Sequence, residues 1–104
     1  MPTPSLREQA ERLPQLPGVY YFKDASGRIV YVGKARRLRT RVMQYINGHD
    51  NREMVSRLIR SSGTVEATIT ETEKGALILE ADEIRRHRPR FNVRLIDGAS
   101  FLHF

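Results

Sequence analysis

The sequence predicts an α+β domain, a three-stranded and mainly antiparallel sheet flanked by helices. Two runs rich in β-branched and aromatic residues stand between positions 18 and 32, split by a turn sequence. Downstream the apolar spacing changes to helical steps, then to one more alternating run, then back to helical steps. With 104 residues and 39% hydrophobic content the chain suits one core, so 1–104 is read as a single domain.

Residues 4–13 read as a short helix with Ser5 or Thr3 as cap, stopped by Pro14 and Pro17. Gly18-Val19-Tyr20-Tyr21-Phe22 and Arg28-Ile29-Val30-Tyr31-Val32 form a predicted hairpin around Asp24-Ala25-Ser26-Gly27, where Gly27 can take a positive φ. After Gly33, the stripe of Leu38, Val42, Tyr45 and Ile46 predicts a helix over 35–46. Met54, Val55, Leu58 and Ile59 predict another over 51–61, closed by Gly63. Residues 65–70 alternate apolar and polar, as a strand with one wet face does. Thr70-Glu71-Thr72-Glu73 has the Thr-x-x-Glu form of a capping box and opens a helix from about 72 to 87, ended by Pro89. No internal repeat, low-complexity stretch or linker interrupts this order.

Composition narrows the chemistry. No apolar run approaches the roughly 18 residues that span a bilayer, and the first residues lack the charged-then-apolar form of a secretory signal. A soluble, cytoplasmic protein is expected. The absence of cysteine excludes disulfides, thiolate zinc sites and cysteine nucleophiles, so any metal would sit on oxygen or imidazole ligands. A hard cation such as magnesium or manganese fits that donor set. A formal charge of +6 on so small a domain suits phosphate contacts and counterion release, which makes nucleic acid the expected partner.

If the loop is the four residues 24–27, Lys23 pairs with Arg28 and Tyr20 lies directly opposite Tyr31, about 5 Å apart at Cβ. Such a pair can simply stabilise the hairpin, and a bulge at Gly27 would shift the register by one and remove it. Lys34, Arg36, Arg37, Arg39 and Arg41 place five cations within eight residues where a helix is predicted to begin, so something negative is expected nearby. Arg36 and Arg39 point away from the apolar stripe and can be a solvated face or a phosphate track. Arg41 falls on the stripe's edge, and a partly buried guanidinium calls for a fixed anionic partner.

On the last helix Ala76, Leu77, Ala81 and Ile84 are read as the inner stripe, with Glu80 projecting into its middle. A carboxylate there needs a partner, either a structural ion pair or a metal ion. Glu71, Glu73 and Glu83 read as exposed or helix-starting charges. Asn92 can fasten backbone near the site or serve ordinary turn chemistry. The three histidines lack ligand spacing, and there is no nucleophile-elbow serine or Gly-rich phosphate loop.

Gly18-Val19-Tyr20 and, ten residues later, Tyr31-Val32-Gly33 resemble the paired motif that names the GIY-YIG nucleases, with valine at each isoleucine position. The likeness continues in order through Lys34, Arg41, Tyr45, Glu80 and Asn92, over a core of about 14–95. Leu16-Pro17-Gly18, Tyr31 to Ala35, Leu79-Glu80-Ala81 and Arg88 to Val93 are similar to the UvrC-like branch in particular. The resemblance implies a GIY-YIG fold and a metal-dependent endonuclease making the 3′-side incision of nucleotide-excision repair. It implies one Mg²⁺ or Mn²⁺ on Glu80, Arg41 on the scissile phosphate, and Tyr20 and Tyr31 positioning or deprotonating the attacking water. Lys34 and Tyr45 would assist, and Gly33 and Asn92 would support the site. DNA is the implied substrate, with Lys34, Arg36, Arg37, Arg39 and Arg41 along it, and UvrB-like repair proteins are implied partners.

After Asn92 the branch usually continues through a Lys/Asp-rich stretch into Ser-Tyr-Pro, whereas this chain reads Leu95-Ile96-Asp97-Gly98-Ala99-Ser100. Nothing in it corresponds to the second nuclease, UvrB-binding or helix-hairpin-helix regions of that branch. An excised domain, a shorter nuclease or part of a fusion is expected. Two other readings stand beside the repair nuclease: a non-catalytic nucleic-acid-binding module of the same fold, and a standalone or fused GIY-YIG nuclease with another substrate.

Overall fold

The computed structural model describes residues 4–92, so Thr3 and the divergent tail from Val93 lie outside the described residues. The elements run α1 (Leu6–Glu11), β1 (Gly18–Lys23), β2 (Ile29–Ala35), α2 (Leu38–Ile46), α3 (Glu53–Ser61), β3 (Thr64–Ile69) and α4 (Glu73–His87). Both pairings in the sheet are antiparallel, in the order β2-β1-β3. The predicted α+β class and element order therefore hold. One face of the sheet carries Tyr20, Phe22, Tyr31 and Val65 against Leu38, Val42, Tyr45, Val55 and Leu58; the other carries Val19, Tyr21 and Val32 against Ala76 of α4. Among the described residues no helix is long and apolar enough to cross a membrane.

Local chemistry fixes most boundaries. Ser5 caps α1 in a capping box with Glu8, each side chain bonding the other's backbone N–H. The hairpin turns on Asp24, whose Oδ1 accepts from Ser26 N at 2.9 Å, Ser26 Oγ at 2.6 Å and Arg28 N at 3.1 Å, with Gly27 at φ 88°.

This turn and the β2 backbone correct the expected register. Lys23 pairs with Ile29 rather than Arg28, and an irregularity follows, so Phe22 pairs with Tyr31 and Tyr20 with Gly33. Val30 and Tyr31 both reach the same core cluster, as expected where β2 carries one extra residue. Tyr20 and Tyr31 are therefore not directly opposite. The displacement totals two residues, an even number, so both phenols stay on one face as a diagonal pair.

Three further expectations are corrected. α2 starts at Leu38, not near 35, because β2 runs through Gly33 to Ala35. Its first N–H groups need no cap residue: Leu38 N donates to Leu16 O, Arg39 N to Pro14 O and Thr40 N to Gln15 Oε1. Gly63 does not close α3; Ser62 does, in extended backbone, while Gly63 N donates to Lys23 O at 2.8 Å and leads into β3. α4 is capped by Thr72, whose hydroxyl accepts from Gly75 N at 2.9 Å, so the Thr70-to-Glu73 box is not formed. The helix ends at Arg88 in the left-handed region, φ 44°, ahead of buried Pro89.

α4 is also rotated from its expected phase. Leu77 is 52% exposed and Ala81 is exposed, while Ala76, Leu79 and Ile84 pack inward with Glu80 and Glu83 half-buried beside them. Glu83 is not a free surface charge: it accepts the Tyr21 hydroxyl at 3.1 Å.

Candidate active site

β1, β2 and α2 bring three phenols together under the sheet. The Tyr20 ring lies 5.8 Å from that of Tyr45 and 6.4 Å from that of Tyr31, and Tyr31 and Tyr45 are 6.3 Å apart, centroid to centroid. Tyr45 also stacks on Phe22 at 5.9 Å with a 9° interplanar angle. Edge and offset contacts of this kind contribute about 0.5–1.5 kcal/mol each beyond burial. The Tyr20 hydroxyl donates to that of Tyr45 at 2.9 Å.

Gly33 is what admits Tyr20. A Cβ at 33 would collide with the Tyr20 phenol carbon and oxygen. Gly18 is equally constrained, because its Cβ would run into the Thr68 carbonyl of β3 and lie 2.9 Å from Leu38 Cδ1. Both glycines of the paired motif thus answer to close approach rather than to turn geometry.

β2 is one of the two outer strands, and Asn92 lies against its free edge. Buried Asn92 accepts from Val32 N at 2.7 Å and donates to Val32 O at 2.9 Å, closing the edge as a neighbouring strand would. Outward groups alternate along a strand, so the next outward N–H belongs to Lys34. Burial lifts the Glu80 pKa above its usual value, against the opposing pull of the Lys34 ammonium and of that N–H. Among the described residues no cation forms an ion pair with Glu80 within 4.0 Å, which leaves the structural ion pair without support. A half-buried, incompletely neutralised carboxylate suits a cation. Among the described residues no group of three acidic or histidine side chains is placed to hold a metal ion, so Glu80 would be the carboxylate that holds a Mg²⁺ or Mn²⁺.

Two of the phenols, Tyr20 and Tyr31, are electrostatically distinct from free tyrosine. Burial, then the neighbouring Tyr45 and Tyr31, pushes Tyr20 well above the usual tyrosine value, against an opposing pull from Arg41. Burial and Tyr45 raise Tyr31 too; Arg52 opposes, while Glu80 lies near enough for its charge to add to the rise. Both phenols are therefore neutral donors at physiological pH.

Arg41 is half-buried, as expected, with its guanidinium 5.1 Å over the Tyr45 ring, donating to Gln44 Oε1 at 3.1 Å. Its expected anionic partner is Asp50, 3.8 Å away. Arg36, Arg37, Thr40, Arg41 and Gln44 line an open depression of about 330 Å³ beside α2. The other basic side chains divide. Arg36 is exposed but bridges to Glu73 at 3.0 Å, which is the negative charge expected near the cluster. Arg39 gives its Nε to Leu13 O at 2.8 Å and so ties α2 to the segment before β1. Arg37 is exposed, as is Lys34.

Sequence reasoning missed Asp50 and Arg52. Asp50 takes Arg52 Nε and Nη2, each at 3.0 Å, and Arg52 Nη2 also donates to the Tyr45 hydroxyl at 3.2 Å. They lie in the polar connection between α2 and α3, where no periodicity exists to reveal them.

A model of the UvrC-like GIY-YIG domain family matches residues 16–93. UvrABC system protein C of Trichlorobacter lovleyi is 47% identical over 92% of this chain, and that of Symbiobacterium thermophilum is 46% identical over 92%. The chain spans 16% and 15% of those two relatives' lengths. Among solved structures, the GIY-YIG N-terminal endonuclease domain of UvrC from Thermotoga maritima, bound to magnesium as its catalytic divalent cation, matches with a TM-score of 0.76. It is 36% identical, over 83% of this chain and 93% of that one. The same domain as a point mutant, also cation-bound, matches with a TM-score of 0.76. The matched range, the identities and the shared fold agree, and the chain belongs to the UvrC-like GIY-YIG domain family.

Proposed function

We propose that this domain is a metal-dependent DNA endonuclease that hydrolyses one phosphodiester, the 3′-side incision of nucleotide-excision repair. The observation that carries the reading is the convergence at the β2 edge of three phenols, Arg41, Lys34 and a half-buried Glu80 not neutralised by an ion pair. Phosphodiester hydrolysis needs a positioned water, relief of charge on the phosphorane and a stabilised leaving oxygen. Glu80 would hold one Mg²⁺ or Mn²⁺, which when bound polarises the phosphate and eases ionisation of nearby water. Arg41 contacts the scissile phosphate, and its fork matches two non-bridging oxygens. Tyr20 and Tyr31, kept protonated by burial, orient the water by hydrogen bonds, and either acts as a base only after local positive charge lowers its pKa and its own proton has passed to solvent. Lys34 and Tyr45 add donors, and Asn92 holds the β2 edge in place.

DNA approaches over the depression beside α2, along Lys34, Arg36, Arg37 and Arg41, with Arg39 contributing less because Leu13 O already engages it. Lesion choice belongs to partner proteins of the UvrB-like kind, since a domain of this size covers little DNA. Incubating the chain with lesion-containing duplex and Mn²⁺ tests the reading. A nick that requires the metal supports it, whereas sustained binding with no product favours the non-catalytic module.

A further inference from the structure

The α2–α3 connection holds the most completely specified polar cluster outside the family motif. The Asp50 side chain is 12% exposed and grips Arg52 through both carboxylate oxygens, fork to fork. Arg52 Nη2 also reaches the Tyr45 hydroxyl at 3.2 Å, which already accepts from Tyr20 at 2.9 Å. A phenol oxygen has few acceptor positions and a single O–H. With two donors already aimed at it, Tyr45 can add only its own proton, as a donor. Arg41 flanks the same ring and comes within 3.8 Å of Asp50, so two guanidinium groups share one carboxylate. One positive charge is left over beside an O–H donor, which suits one phosphate oxygen.

We propose that Asp50 and Arg52 are a positioning pair that fixes Tyr45 as a hydrogen-bond donor to a phosphate oxygen of the bound DNA. The inference rests on the nuclease reading above. A purely structural role is the competing account, since Asp50 Oδ1 also accepts Arg52 N at 3.1 Å and so helps start α3. Asp50→Asn separates the two, because an amide oxygen can still accept that N–H while the ionic fork is lost. Arg52→Lys is the second variant, keeping charge without the fork.

Two readouts are needed. In single-turnover nicking at saturating DNA with Mn²⁺, each variant should lose on the order of tenfold in rate while melting temperature stays at the wild-type value. Independently of cleavage, the Tyr45 ring-carbon resonance should move when inorganic phosphate is added to the wild type, and this movement should be lost in Asp50→Asn. Asp50→Asn nicking at the wild-type rate overturns the proposal, and so does a wild-type Tyr45 resonance indifferent to phosphate. A chain that responds to phosphate but never nicks DNA leaves the pair standing and counts against the nuclease reading instead.

Discussion

The Tyr20 phenol lies over the backbone of Gly33, its register partner across the hairpin, and occupies the volume that a side chain at 33 would need. Tyr20 is 1% exposed, so it has nowhere to retreat. Gly33→Ala should therefore destabilise the fold by about 1–3 kcal/mol, the usual cost of overpacking. It should also displace the hydroxyl from Tyr45 and reduce nicking by more than the stability loss explains. Denaturant unfolding and single-turnover nicking on the same variant check both parts.

Asn92→Ala should leave Val32 N and Val32 O without partners at a buried edge. The expected cost is about 2–4 kcal/mol from two unsatisfied backbone groups. Amide exchange should quicken at Val32 before it does in β1. Unchanged exchange there would mean that water or neighbouring backbone replaces the side chain.

Most of the fold was legible because each element buries one face: Leu38, Val42 and Tyr45, or Val55 and Leu58, recur at helical spacing and are buried. What failed did so for local reasons. The register slipped by two because Asp24 organises its turn through three hydrogen bonds and β2 carries an extra residue at Val30, neither of which alternation shows. The α4 phase was misjudged because Leu77 and Ile78 are apolar yet exposed, at 52% and 55%, while two glutamates face inward. Glu80 was legible because a carboxylate among apolar neighbours on a helix asks for a partner. Asp50 and Arg52 were not, because their pairing depends on where a loop brings Tyr45.

Arg41→Lys retains a charge over the Tyr45 ring but loses the fork that bonds Gln44 and faces Asp50. Nicking should fall about a hundredfold, as when one transition-state donor is removed. Arg37→Ala should instead leave chemistry intact and lower the slope of log affinity against log salt by about one. Arg39→Ala should change that slope less and stability more, because its Nε is bonded to Leu13 O. Salt-dependent binding isotherms with the three variants decide between tracking and structural roles.

Burial raises the Glu80 pKa above its ordinary 4.5, so the folded chain holds that proton more tightly than the unfolded chain does. The stability this group contributes is full below the unfolded value and is lost as pH rises through the folded one. In metal-free buffer Glu80→Gln should consequently melt higher than the wild type at neutral pH, with the gap closing as pH falls through the carboxylate range. A variant that melts lower at neutral pH would mean that Lys34 more than offsets the burial.

Glu80→Gln also bears on the reaction itself, since the amide preserves size and hydrogen bonding but not the charge that would hold the cation. Metal-dependent nicking of duplex DNA by this variant, at protein concentrations where wild-type and variant binding are equal, is the decisive measurement. The expected result is no detectable product with either Mg²⁺ or Mn²⁺ from a folded, DNA-binding protein. Product formed at the wild-type rate would contradict the placement of the cation on Glu80 and the mechanism built around it.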